Sequence, residues 1–141
     1  MKAVVCEAFG GPEVLALREV PDPPPPGPGE VQVRIRARGV QYVDVLMLAG
    51  KYQFRPDPPF VPGNEGAGEV VAVGPDVTRF KIGDPVMSRQ RLGAFAELGN
   101  AKAVDCDPVP YGRRRVVPLL DDDAARGLRG WSWCPLLPPI G

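Results

Sequence analysis

Apolar and polar positions alternate most strictly between Glu30 and Arg38, where Val31, Val33, Ile35 and Ala37 fall on one side and Gln32, Arg34, Arg36 and Arg38 on the other. Successive strand residues point to opposite faces, so the pattern predicts a half-buried strand with all three arginines on its solvated face. Two shorter apolar runs precede it. Residues 3 to 9 predict an opening strand before a turn at Gly10-Gly11-Pro12, and Leu15 to Val20 predicts a second strand. The proline-rich stretch from Pro21 to Gly29 lacks the N–H groups that a ladder needs, and it reads as an extended, polyproline-like connector.

After Gly39 the period lengthens. Tyr42, Val45, Leu46 and Ala49 form one helical stripe that Gly50 ends, while Gln41 and Asp44, three residues apart, share a second face. Lys51 to Pro62 reads as a loop carrying Tyr52. Glu69 to Gly74 predicts a strand buried on both faces, followed by a turn at Pro75-Asp76. Val77 to Phe80 and Ile82 to Met87 continue the strand pattern, and residues 93 to 98 supply one more short strand. The expected architecture is a mainly β domain with short helices over residues 1–104. Beyond it, Arg113-Arg114-Arg115 and Asp121-Asp122-Asp123 are like-charge blocks and neither period persists, so 105–141 is expected to be a Pro/Arg-rich tail, disordered or out of frame.

Composition narrows the chemistry. The 141 residues carry 17 Lys and Arg against 17 Asp and Glu, and this balance argues against nucleic acid as a partner, because phosphate neutralisation needs basic excess. There is no His, which removes the commonest general base and the commonest metal ligand together. Cys6, Cys106 and Cys134 form no CxxC pair, a usage that suits a reducing compartment. No apolar run approaches the roughly 20 residues that cross a bilayer, so the expectation is a soluble cytoplasmic protein without a membrane partner.

The glycines of Gly63-Asn64-Glu65-Gly66-Ala67-Gly68 stand at relative positions one, four and six, not in the GxGxxG order of a dinucleotide loop. They also open a strand, whereas a pyrophosphate loop opens a helix. Close backbone packing is the reading they support.

Four segments, Gly39-Val40-Gln41-Tyr42-Val43-Asp44, Gly50-Lys51-Tyr52, Pro59 through Gly68, and Gly83-Asp84-Pro85-Val86, resemble the N-terminal domain of the medium-chain dehydrogenase/reductase superfamily. The opening, with Phe9-Gly10-Gly11-Pro12-Glu13-Val14-Leu15, is similar to its zinc-independent quinone oxidoreductase branch. Together these segments span about residues 1–98. The resemblance implies a GroES-like, partly open β-barrel, truncated, without the Rossmann domain that carries NADPH in full-length members. It also implies hydride transfer from NADPH to a small-molecule quinone or enone, with no cofactor held by this chain alone.

Zinc-dependent members carry Cys and His where Gln41 and Asn64 stand here, and neither amide supplies a thiolate or imidazole, so no metal is expected. By the same resemblance, Tyr52 and Gln41 are the catalytic candidates, with Tyr52 donating to a substrate carbonyl, and Gln41 and Asp44 are the cofactor-side candidates near the nicotinamide. The family usually has Asn in place of Gln41. Their structural alternatives are that Asp44 holds the start of the helix and that Tyr52 packs beneath the proline loop. Two other readings are an enoyl reductase-type fragment and a non-catalytic GroES-like protein-binding module.

Overall fold

The computed structural model describes residues 1–109. Residues 110–141, which hold both like-charge blocks and most of the expected tail, lie outside the described residues. Among the described residues are seven strands, β1 (Lys2–Cys6), β2 (Leu15–Glu19), β3 (Glu30–Gly39), β4 (Glu65–Val73), β5 (Pro85–Arg89), β6 (Leu98–Lys102) and β7 (Cys106–Pro108), with one α-helix, α1 (Tyr42–Leu48). β1 and β2 form an antiparallel ribbon, and the others form a five-stranded antiparallel sheet in the order β6-β3-β4-β5-β7.

Irregular segments stitch ribbon to sheet. Val4 N–H donates to the Phe95 carbonyl at 2.8 Å, Cys6 and Phe60 exchange both backbone bonds (2.8 and 3.1 Å), and Glu97 donates to the Lys2 carbonyl (3.1 Å) while accepting from Ile35 N–H (2.9 Å). The sheet therefore curls around the ribbon into a partly open barrel, as expected. One core cluster joins Val31, Val33 and Ile35 of β3 to Val70, Val86, Ala101 and Cys106 on four further strands. A second joins Cys6, Leu48 and Phe60, with Phe9, Val14 and Leu15 packed against it, and seats α1 on the ribbon.

The sequence reading needs several corrections. β4 starts at Glu65, so Gly66 and Gly68 lie inside the strand while Gly63 precedes it, and the strand is buried on one face only. Gly66, Gly68 and Val70 are buried, whereas the alternate positions are partly exposed. An apolar run alone does not separate one buried face from two. Residues 77–84 are irregular with a turn at Ile82-Gly83, Val77 N–H bonding to the Gly74 carbonyl and Asp84 N–H to that of Lys81, and the ladder begins only at Pro85. The N–H groups of Gly93, Ala94 and Phe95 go to the carbonyls of Val61, Gly63 and Pro62, so the ladder strand here is 98–102 and not 93–98. The opening strand ends at Cys6 rather than residue 9. The sheet also runs past residue 104, because β7 pairs with β5 from Val86↔Pro108 to Ser88↔Cys106 and Cys106 is fully buried.

Arg34 and Arg36 are solvent-exposed as expected, but Arg38 is not. The β3–β4 register slips between Ile35 and Ala37, so that Arg38 pairs with Gly66 on the buried face. A bulge inserts one residue and inverts the phase of everything after it. The guanidinium accordingly donates to the Ala96 carbonyl (2.7 Å), and burial pulls its pKa down.

Cys6 and Cys106 are both free and buried. Burial first, then the neighbouring Asp105, pushes the Cys106 thiol up to about 11, so at pH 8 only about one molecule in a thousand carries its thiolate. In a Cys134→Ser chain, neither thiol should react with Ellman's reagent at pH 8 under native conditions, and both should react in guanidinium. Native labelling at the rate of an exposed thiol would contradict the packing.

Candidate functional site

β3 ends at Gly39, and Gln41, in extended backbone (φ −119°, ψ 164°), caps α1. Gln41 N–H donates to Asp44 Oδ2 at 2.8 Å, and Asp44 N–H donates to the Gln41 carbonyl at 3.1 Å. The two residues that sequence placed on one helical face are thus tied backbone to side chain, and an acidic group in the first turn also suits the helix dipole. Asp44 is 1% exposed, and its Oδ1 is buried with no hydrogen-bond partner.

Burial raises the Asp44 pKa above the ordinary carboxylate value, with the N–H groups of Gln41 and Gly63 pulling it back and Glu65 adding to the rise. Ionised Asp44 is therefore less favourable in the folded chain than in the unfolded one. Its contribution to stability is fully present below the unfolded carboxylate pKa and is lost as pH rises through the folded value. Asp44→Asn retains an acceptor for Gln41 N–H and removes the charge. Urea unfolding should find the variant more stable than the parent at pH 7, with the difference shrinking towards pH 4. A parent more stable than the variant at pH 7 would show that the charge itself holds the cap.

Opposite α1 stands the segment entering β4. Gly63 is buried at φ +100°, and Asn64 presents a buried Oδ1 that has no partner. The Asn64 carbonyl accepts from Gln90 N–H at 2.8 Å, and both polar atoms of the Gln90 amide are buried and unpaired. Arg38, whose Nε is likewise unpaired, pairs in register with Gly66. Of the buried side-chain polar atoms without a partner among the described residues, Asn64 Oδ1 belongs to this stretch and Asp44 Oδ1 adjoins it at Gly63, whereas Arg38 and Gln90 are linked to it through their backbones. Native proteins satisfy most such groups, with ordered water where no protein partner is in reach, so these atoms are open to a further polar partner.

Tyr52 lies half-buried in the loop after α1, and no hydrogen bond or ring contact ties its hydroxyl to Gln41 or Asp44. Beside Gln41, the side chains of Val40, Tyr42 and Val45 form an apolar rim, respectively 52, 75 and 49% exposed. Sequence reasoning missed Gln90. It sits in Arg89-Gln90-Arg91, where no period distinguishes a buried amide from its charged neighbours.

The donor set does not fit zinc. Gln41 and Asn64 offer neutral amides, and no cluster of three His, Cys, Asp or Glu exists among the described residues. A dinucleotide fits only in part, because α1 has seven residues and the glycine run leads into a strand, with Gly66 and Gly68 inside it. Nothing described cradles phosphates, while the Gln41 amide offers a donor and an acceptor to a carboxamide such as that of nicotinamide.

Residues 27–121 match the alcohol dehydrogenase GroES-like domain, and the chain belongs to that family. Over 98 residues it is 49% identical to a quinone oxidoreductase of Pseudomonas aeruginosa, covering 69% of this chain and 30% of the relative. A quinone oxidoreductase of Pseudomonas syringae superposes with a TM-score of 0.73 at 38% identity, covering 79% of this chain and 34% of that one. Escherichia coli quinone oxidoreductase complexed with NADPH gives 0.73 at 33% identity, covering 78% and 33%. These place the chain in the quinone oxidoreductase branch of the medium-chain dehydrogenase/reductase superfamily, where it represents the N-terminal domain. It spans about a third of the length of the curated relatives it matches. No helix among the described residues is long and apolar enough to cross a membrane.

Proposed function

We propose that this chain is the substrate-side domain of a zinc-independent, NADPH-dependent quinone or enone reductase. The observation that carries the reading is the set of unpaired buried amide and carboxyl atoms around Gly63 and Asn64, facing a helix whose cap is Gln41 and not a metal-binding thiolate. When bound, NADPH supplies the hydride. The chain's own part is to orient the acceptor and to stabilise the negative charge that grows on its oxygen, which neutral hydrogen-bond donors fixed by the fold perform without reorganising.

Tyr52 donates to the acceptor carbonyl, and the Gln41 amide bonds on the nicotinamide side. Asp44, 1% exposed, acts as a positioning residue that fixes Gln41 through its backbone N–H rather than as a direct contact. The apolar rim of Val40, Tyr42 and Val45 packs against the nucleotide-binding part of a complete enzyme. The described residues offer no phosphate seat, and the chain alone is expected not to hold NADPH. A cytoplasmic setting agrees with two free buried thiols.

The test is a chimaera in which residues 1–98 replace the matching part of the Pseudomonas aeruginosa relative. Tyr52→Phe and Gln41→Leu should each lower kcat for a small quinone by about tenfold or more, the usual scale for one lost donor to a developing charge. Unchanged kcat in both would remove them from the mechanism.

A further inference from the structure

Tyr52 lies in a stretch that backbone hydrogen bonds do not hold. Lys51 N–H still donates to the Leu46 carbonyl (2.8 Å) and Phe60 exchanges both bonds with Cys6, but among the described residues no hydrogen bond reaches residues 52–59 between them. Composition stiffens only the far half. Pro56, Pro58 and Pro59 fix their own φ and disfavour helical backbone at Arg55 and Asp57, which precede prolines. The remaining freedom is in Lys51 to Phe54, where the chain bends over residues 52–54.

Two side-chain contacts close that half, and they fall on consecutive residues. The Arg55 guanidinium lies 4.4 Å over the Phe9 ring, and the Arg91 guanidinium lies 5.3 Å over the Phe54 ring. Arg55 also comes back to Gly50, since a Cβ on Gly50 would stand 3.4 Å from Arg55 Nε and 3.1 Å from Phe9 Cγ and Cδ1. Residues 50 and 55 therefore meet beside one ring, and Tyr52 sits in the short loop that this closes. Both anchors are rooted in the core, because Phe9, and Leu92 next to Arg91, pack on the cluster of Cys6, Leu48 and Phe60. Neither guanidinium has an ion pair or hydrogen bond among the described residues, so the ring is the partner each one has.

We propose that Arg55 and Arg91 are positioning residues that hold the Tyr52 hydroxyl where it meets the acceptor carbonyl, acting through the loop and not by touching the acceptor. The proposal rests on the reductase reading above and adds two residues outside its donor set. A cation over an aromatic face at an exposed site is worth about two- to fivefold in an equilibrium, so the two contacts together favour the closed loop by about tenfold. Such a contact changes a rate only through the group it places. Lys keeps a cation for the ring, whereas Met keeps the length and the apolar stem and loses the charge.

The experiment is a double-mutant cycle in the chimaera of residues 1–98, with a small neutral quinone as acceptor. The pair Arg55→Met and Arg91→Met should lower kcat by about five- to tenfold and leave KM for NADPH unchanged, and the pair Arg55→Lys and Arg91→Lys should recover most of the loss. In a Tyr52→Phe background the Met pair should cost less than about twofold, because the hydroxyl that it places is gone. ¹⁵N relaxation of the full chain supplies the structural half. There the Met pair should lower the heteronuclear NOE of the Lys51 to Arg55 amides while α1 and β4 keep theirs. Equal losses with and without the Tyr52 hydroxyl, a Lys pair as impaired as the Met pair, or unchanged loop NOEs would overturn the proposal and leave the reductase reading in place. A parent chimaera that reduces no quinone would instead remove that reading, and this proposal with it.

Discussion

Gly68→Ala is expected to unfold the domain. Gly68 faces Ile35 across the β3–β4 pairing, at the centre of the five-stranded sheet. A Cβ there would overlap the Arg34 carbonyl oxygen and stand 2.8 Å from the Arg34 carbonyl carbon and 3.0 Å from Ile35 Cα. All three atoms are backbone of the neighbouring strand β3, so no side-chain rotation relieves the overlap and the strands must separate. The expected loss is on the order of 3–5 kcal/mol, comparable to the whole stability of many domains of this size. Gly66→Ala is the control, because its Cβ would meet the end of a side chain, Ile35 Cγ2 at 3.1 Å, which has some freedom to move. Circular dichroism of the two purified variants should show native β signal for Gly66→Ala and its loss for Gly68→Ala. A urea midpoint for Gly68→Ala equal to that of the parent would mean that β3 and β4 do not approach as described.

The second large effect is expected at Gly63, which joins fold and site. Its φ of +100° is one that L-residues rarely adopt, and a Cβ would stand 2.5 Å from Phe95 Cδ1 and 2.8 Å from Phe95 N. The conformational cost alone is about 1–3 kcal/mol, and the steric cost adds to it. Gly63→Ala should therefore destabilise by about 3 kcal/mol or more in urea unfolding. Adding Phe95→Leu should recover the part due to the ring while leaving the parts due to φ and to the backbone nitrogen. Gly63 also accepts from Ala94 N–H (3.1 Å) and turns its own N–H toward Asp44, so any survivor should show altered amide shifts at Asp44 and Asn64. Full stability of Gly63→Ala would contradict the backbone geometry on which the site rests.

The parts of this fold that sequence made legible are those in which a local period controls the structure. β3 alternates because one face meets the core, and α1 ends at Leu48, capped by Ala49 just before Gly50, where its apolar stripe ends. What escaped depends on contacts distant in sequence. The inversion at Arg38 comes from a bulge whose partner strand begins 26 residues after β3 ends, at Glu65. The segment 93–97 looked like a strand because it is apolar, yet the N–H groups of Gly93, Ala94 and Phe95 bond to the 61–63 loop and not to a ladder.

At the site, the spacing of Gln41 and Asp44 foretold a shared face, and the structure adds the reciprocal bonds of the cap. The half-buried position of Tyr52 does not by itself assign it a role, because no bond connects it to the other two. Gln90 was invisible for a different reason. A polar residue between two arginines looks solvated, and only the bond from its N–H to Asn64 shows that it is carried inward.

The central claim is that amide and hydroxyl donors of this domain, with no metal, polarise the acceptor's oxygen. The most direct measurement is the initial rate at which the chimaera of residues 1–98 oxidises NADPH with 1,4-naphthoquinone as acceptor, before and after dialysis against 1,10-phenanthroline. The account predicts a rate that depends on the quinone and is unchanged by the chelator. A chimaera that binds NADPH but reduces no quinone, or one that loses its rate to the chelator and regains it with zinc, would contradict it.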